Sequence, residues 1–202
     1  MVLSNIGLLA FLLTQPSLVA SQETRLRETV SVLIITKLGN IEVDLYPKKA
    51  PITVQNFLRY VDGGFYNGGL FHRTVKLHNQ PDKTILIKVI QAGINPEREK
   101  ESFPPIKIER TNKTGLRHRN GTISMARDTP DSATSDFFIC IGDQPSLDFG
   151  GKRNPDGQGF AAFGRVVKGM DVVKKIQMSP SDGQRLTPPV RILEIRRKRQ
   201  GM

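Results

Sequence analysis

LFHRTVKLHNQPDKTILIKVIQAG, residues 70–93, is the stretch on which the fold turns. It reads as two short strands joined by a polar loop. In the first run Arg73 is expected to project from the face opposite Leu70, His72 and Thr74; in the second, a β-branched run over 84–90 leads into Gln91. Alternation and β-branching of this kind suit neighbouring strands of one sheet. A rigid fork of guanidinium donors beside a single amide suggests a surface that binds peptide.

The rest of the composition agrees with a β-rich domain. With 202 residues the chain has room for one ordinary domain and too little for two. Hydrophobic residues make up 38%, with 18 Gly, 13 Pro and no Trp, which points to a turn-rich globular fold. Met1 to Ser21 carries no charged side chain, contains the apolar run 6–13 and ends in small residues, Ser17-Leu18-Val19-Ala20-Ser21. That run is too short to span a bilayer, and the segment reads as a cleavable export signal. The expected organisation is a signal over 1–21, one domain over 28–197 and a basic tail over 198–202.

Cys140 is the single cysteine, so an internal disulfide is excluded. Set inside the apolar run Phe137-Phe138-Ile139-Cys140-Ile141, it reads as a small buried hydrophobe. His72, His78 and His118 lack ligand spacing, so no metal is assigned.

In chain order, 28–37 and 40–46 form an expected hairpin about Leu38-Gly39-Asn40. Pro51 opens a helix that carries Val54, Phe57, Leu58 and Val61 at helical spacing and stops at Gly63-Gly64. Strand-like runs follow at 105–110, 121–127, 137–142 and 160–166. Loops rich in turn residues cover 127–136 and 148–159. A second helix, with Val166, Met170, Val173 and Ile176 near one face, precedes a last strand over 190–195. Many short strands with two covering helices indicate a mainly β fold, a closed antiparallel β-barrel.

Phe71-His72-Arg73, Val89-Ile90-Gln91-Ala92-Gly93, Ser124-Met125-Ala126, Asp136-Phe137-Phe138-Ile139 and Gly159-Phe160-Ala161-Ala162-Phe163-Gly164 resemble, in order, the successive signatures of the cyclophilin-type peptidyl-prolyl cis-trans isomerases. The match runs from about Val30 to Ile195, and it is similar to an exported, bacterial-like subgroup. The resemblance implies an eight-stranded antiparallel barrel capped by two α-helices, and isomerisation of X-Pro bonds without a cofactor. It implies catalytic roles for Arg73 and Gln91. It also implies contacts to a proline-containing substrate from Phe71, His72, Val89, Met125, Ala126, Arg127, Phe138, Leu147 and Phe160. Partners would be proline-containing peptides and unfolded proteins, met by a monomer after export to the periplasm or outside the cell.

This chain departs from the common family pattern at Lys88, Val89, Arg127 and Asp136, and carries an insertion of about ten residues within 76–86. Those departures leave open a non-catalytic proline-peptide-binding or scaffold domain on the same barrel. The net charge of +11, with basic runs at 117–119 and 196–199, leads to a further expectation of weak, salt-sensitive association with anionic surfaces. No sequence-specific nucleic-acid reading is expected.

Overall fold

The computed structural model describes residues 29–81 and 83–198. The expected export signal and the last four residues of the basic tail lie outside the described residues. The strands are β1 (Val30–Thr36), β2 (Gly39–Leu45), β3 (Leu70–Val75), β4 (Val89–Gly93), β5 (Thr122–Met125), β6 (Phe137–Cys140), β7 (Ala162–Lys168), β8 (Ser181–Asp182) and β9 (Arg185–Arg197). They form one antiparallel sheet in the order β1-β2-β7-β5-β6-β4-β3-β9-β8, and pairing of β1 with β9 closes it. The two-residue β8 pairs with β9 alone, so the closed barrel has eight strands. Two helices cover it, α1 (Pro51–Asp62) and α2 (Met170–Met178).

The β1–β2 hairpin shows how the sequence drives closure. Val32, Ile34 and Thr36 face inward, as do Ile41, Val43 and Leu45 across from them. Gly39 sits at φ +132°, a conformation that favours glycine, and an added Cβ would strike the Val172 side chain of α2 at 2.7 Å. The tight turn and the seating of α2 therefore depend on the same glycine.

Helix α1 begins at Pro51, as the sequence implies, but its N-cap, Ala50, has no side chain able to cap. The orphan donors are met from a distance. Glu109 accepts from the backbone N–H of Ile52 at 3.2 Å and of Thr53 at 2.8 Å, and from the Thr53 hydroxyl at 2.7 Å. The helix lays Val54, Phe57 and Val61 on the core, where the Phe57 ring meets Tyr66, Phe137 and Phe163 at centroid distances of 5.2–5.5 Å. Burying such a ring is worth about 1.5–3 kcal/mol.

Three expected strands change. Residues 105–110 make a single bridge, Ile106 to Ala133, in place of a strand. Pro104 and Pro105 offer no N–H, and beyond them the Ile108 N–H goes to the Asp131 carboxylate and the Glu109 side chain to the cap of α1. Residues 84–88 lie outside β4, because the Gln80 side chain takes the backbone groups of Ile87, accepting at 3.3 Å and donating at 2.9 Å. The last strand is longer than expected and begins at Arg185, since Pro188 and Pro189 read as breakers yet sit within a strand whose near end pairs with β8. Val166, read both as the end of a strand over 160–166 and as lying near the face of the second helix, belongs to β7.

Buried apolar side chains separate into two groups. The larger fills the barrel and the space under α1 and α2. The smaller, Val75, Ile87, Val89, Phe138, Cys140 and Leu147, lies against the outer face of β3, β4 and β6, with Ala126 and Phe160 packed on it. This second cluster is the wall of the candidate site.

Candidate active site

Sheet register assembles the site. Arg73 on β3 lies across from Gln91 on β4, Gln91 across from Phe138 on β6, and Phe138 across from Ser124 on β5. Residues abreast on adjacent strands share a face. Phe71, Ile90, Ala92, Phe137 and Ile139 meanwhile turn into the barrel. In a regular strand Arg73 would share a face with Phe71. A bulge at His72 shifts the register between Phe71 and Arg73 and re-aims the arginine outward. The strict alternation expected from sequence is therefore corrected: Phe71 and Thr74 are buried on the barrel side, while Arg73 stands on the outer face with Val75, which is itself buried in the cluster that walls the cleft.

The guanidinium of Arg73 is held by two amides. Its Nη1 donates to Gln91 Oε1 at 3.0 Å, and its Nε and Nη2 both donate to Gln184 Oε1, at 2.9 and 2.6 Å. Gln184 is anchored in turn by donating to the Asn79 carbonyl at 2.9 Å. A guanidinium has five N–H groups, so three bonds leave two for a substrate. Gln91 Nε2 donates to Asp136 Oδ2 at 3.1 Å, and His72 Nε2 lies 3.6 Å from the same oxygen. Burial holds Arg73 below the usual arginine range. It pushes the Asp136 carboxyl up, against the lowering effects of the Gln91 hydrogen bond and His72.

Beside this row lies a cleft of about 510 Å³. Val89, Phe138, Leu147 and Phe160 form its apolar wall, with Ile87 and Ala126 alongside. Phe160 meets Phe138 edge to face at 5.3 Å. Phe138 also stacks on His118, at 5.9 Å and 16°. His118 is itself buried, with Nδ1 2.8 Å from Asp148 Oδ1 and Nε2 3.0 Å from Ser124 Oγ. Burial alone would push Asp148 up, but the ring and backbone hydrogen bonds from His118, with Arg117 nearby, bring its carboxyl below the ordinary value.

Of the residues singled out in the sequence, Arg73, Gln91, Val89, Ala126, Arg127, Phe138, Leu147 and Phe160 line this one cleft. Phe71 and Met125 do not. Their side chains are buried in the barrel core, so direct side-chain contact with substrate is corrected for both. His72 reaches the rim through Asp136 and does not line the cleft. Arg127 has a bound role: its guanidinium grips Asp156 at 2.8 and 3.0 Å, donates to the Gly159 carbonyl and lies 5.0 Å over the Phe160 ring. It is thus tied to the loop that presents Phe160. Lys88, one of the departures from the family pattern, approaches Gly142, and its neighbours Ile87 and Val89 face the cleft.

Gln184 and Asp148 went unnoticed in the sequence, and His118 was weighed there only as a metal ligand. The turn Ser181-Asp182-Gly183-Gln184 is legible as a turn, but nothing local brings Gln184 to an arginine 111 residues away. Cys140 is buried, and desolvation pushes its thiol far up, so it is not a nucleophile at neutral pH. Among the described residues no group of three His, Cys, Asp or Glu side chains converges as a metal site would require, and no helix is long and apolar enough to cross a membrane. The basic runs carry carboxylate partners, including Arg119 with Asp143, Arg197 with Asp62 and Lys198 with Glu42.

Comparison with known proteins places this geometry in a family. The chain is 45% identical over 148 residues to peptidyl-prolyl cis-trans isomerase A of Dickeya dadantii, covering 72% of this chain and 70% of that one. It is 40% identical over 144 residues to peptidyl-prolyl cis-trans isomerase B of Escherichia coli, covering 70% and 80%. The fold is similar to a crystal structure of a cyclophilin-type isomerase from Cryptosporidium parvum, with a TM-score of 0.70 at 22% identity, over 86% of this chain and 99% of that one. A second structure of that protein, determined in the presence of the dipeptide Ala-Pro, has a TM-score of 0.68 at 23% identity, over 84% and 99%. Since the model for "Cyclophilin type peptidyl-prolyl cis-trans isomerase/CLD" matches residues 31–197, nearly all of the described barrel, the chain belongs to the cyclophilin-type peptidyl-prolyl cis-trans isomerases.

Proposed function

We propose that this isomerase acts on X-Pro bonds of exported proteins, with Arg73 as the group that lowers the rotational barrier. The observation that carries the reading is the cross-strand row of Arg73, Gln91 and Phe138: a donor, a backbone-binding amide and an apolar wall presented side by side.

The amide bond resists rotation because the nitrogen lone pair is delocalised into the carbonyl, a barrier of ~18–20 kcal/mol. An N–H of Arg73 directed at the prolyl nitrogen localises that lone pair and stabilises the twisted state. The wall of Val89, Phe138, Leu147 and Phe160 holds the ring, while Gln91 holds the substrate backbone. Rotation then falls on one bond. No covalent step occurs and no proton is transferred. A non-catalytic scaffold would have no use for a guanidinium preoriented by two amides with two donors left over.

The exported location, the bacterial-like subgroup and a monomeric state belong to this proposal. The uncharged apolar leader over 1–21 supports export. Weak association with anionic surfaces rests on the net charge of +11 alone, because the basic runs are largely ion-paired. A protease-coupled isomerisation assay on an Ala-Pro peptide tests the activity. N-terminal sequencing of cell-derived protein tests export, with a mature start near residues 21–23 expected; a chain beginning at Met1 would refute it.

A further inference from the structure

The charges of the cleft are sorted along its length. At one end Asp136 has Glu99 and Asp128 close enough to oppose its ionisation. Gln91 separates that end from Arg73. Beyond Arg73 stands Arg153, held below the usual arginine range by burial and then by the Arg73 charge beside it. Lys83, exposed on the insertion whose Ile85 carbonyl Arg153 holds, also lines the cleft.

Arg153 is fixed in place. Its backbone N–H donates to the Ser146 carbonyl at 3.1 Å, next to Leu147 of the apolar wall, and its Nη1 donates to the Ile85 carbonyl at 2.5 Å. It thus clamps the insertion to the loop that follows β6. The contrast with Arg127 is informative: that cleft arginine is neutralised by Asp156, whereas Arg73, Arg153 and Lys83 have no carboxylate partner among the described residues. Arg73 and Arg153 repel one another in a partly buried cleft that Lys83 also lines, and an anion placed beside the two arginines relieves that repulsion. The apolar wall that accepts the proline ring adjoins them, so the anion belongs on the same peptide.

We propose that Arg153, with Lys83, makes a carboxylate subsite beside the proline pocket, so that the enzyme favours prolines next to an Asp or Glu residue. This rests on the isomerase reading above and adds a substrate class to it. Arg153 supplies a planar fork suited to a carboxylate. Lys83 adds charge from the mobile end of a long side chain.

The test is kcat/KM on four peptides, Glu against Gln immediately before the proline and Glu against Gln immediately after it, at low and at high salt. At low salt one Glu peptide should exceed its Gln counterpart on the order of fivefold or more, and added salt should shrink that ratio. In Arg153→Gln the ratio should fall towards one, and Lys83→Gln should lower it partly. Arg153→Lys should retain part of it. Should Arg153→Gln fail to fold, the exposed Lys83→Gln carries the same comparison. Equal turnover of Glu and Gln peptides at both positions, or a ratio unchanged in the folded variants, would overturn the proposal. Absence of turnover on every peptide would overturn the isomerase reading instead, and titration of the same four peptides would then still show whether the Glu preference exists.

Discussion

Gln184 accepts two hydrogen bonds from Arg73 on a single oxygen, Oε1, from Nε at 2.9 Å and from Nη2 at 2.6 Å. One amide on the β8–β9 turn thereby sets the plane of the guanidinium, while Gln91 sets its rotation within that plane through Nη1. A small loss of orientation matters at such a site, because the remaining donors must meet the prolyl nitrogen as the bond twists.

Gln184→Ala is therefore expected to lower kcat/KM roughly thirtyfold, about 2 kcal/mol, within the ~1.5–3 kcal/mol that hydrogen bonds to a charged group contribute. Peptide affinity should change little, since the apolar wall is untouched. Steady-state kinetics and a binding titration on the same variant separate the two quantities. A fall in affinity equal to the fall in kcat/KM would place Gln184 in ground-state binding.

Phe138 meets Phe160 edge to face and stacks on His118. Phe138→Ala should weaken peptide affinity at least as much as turnover, because it empties the wall that holds the ring. It should also cost about 3 kcal/mol of stability, the lower end for removing a buried Phe, as one side of this ring opens to the cleft. Denaturant unfolding checks the second quantity, and NMR titration with an Ala-Pro peptide checks the first.

Acid stability should report on Asp148. Its folded-state carboxyl lies below the ordinary value, so the folded protein binds fewer protons than the unfolded chain in the interval between them. The sign follows: the contribution is fully present above the ordinary Asp value of about 3.9 and is lost as pH falls through the depressed value. Asp148→Asn should be less stable than wild type by about 2 kcal/mol at pH 7, the scale of a charged hydrogen bond. The gap should narrow as pH falls below about 4. Thermal melts of both proteins across that range measure it; a gap that widens in acid would contradict the account.

How far the sequence carried this structure depended on whether a feature was local. The β1–β2 hairpin, the start of α1 at Pro51 and the strands about Ile123 and Ile139 were legible, because alternation, proline and glycine act over a few residues. The bulge at His72 was not: an extra residue in a strand leaves the composition unchanged, yet it decides which way Arg73 points. Glu109 capping α1 across 56 residues and Gln184 orienting Arg73 across 111 are tertiary events without a local signature. Phe71 and Met125 were misplaced for a related reason. They lie one or two positions from residues that do face the cleft, and in a strand one position is the difference between core and surface.

The direct measurement of the central claim is kcat/KM on an Ala-Pro peptide, with peptide affinity by NMR titration, for wild type, Arg73→Ala and Arg73→Lys. Removing a preoriented donor of this kind costs ~2.7–4 kcal/mol, so Arg73→Ala should lose roughly a hundred- to thousandfold in turnover while binding peptide nearly as before. Arg73→Lys should recover little, because an ammonium keeps the charge but lacks the planar fork that Gln91 and Gln184 hold. Retention by folded Arg73→Ala of more than about a third of wild-type kcat/KM, a change under ~0.7 kcal/mol, would contradict a catalytic role for this arginine.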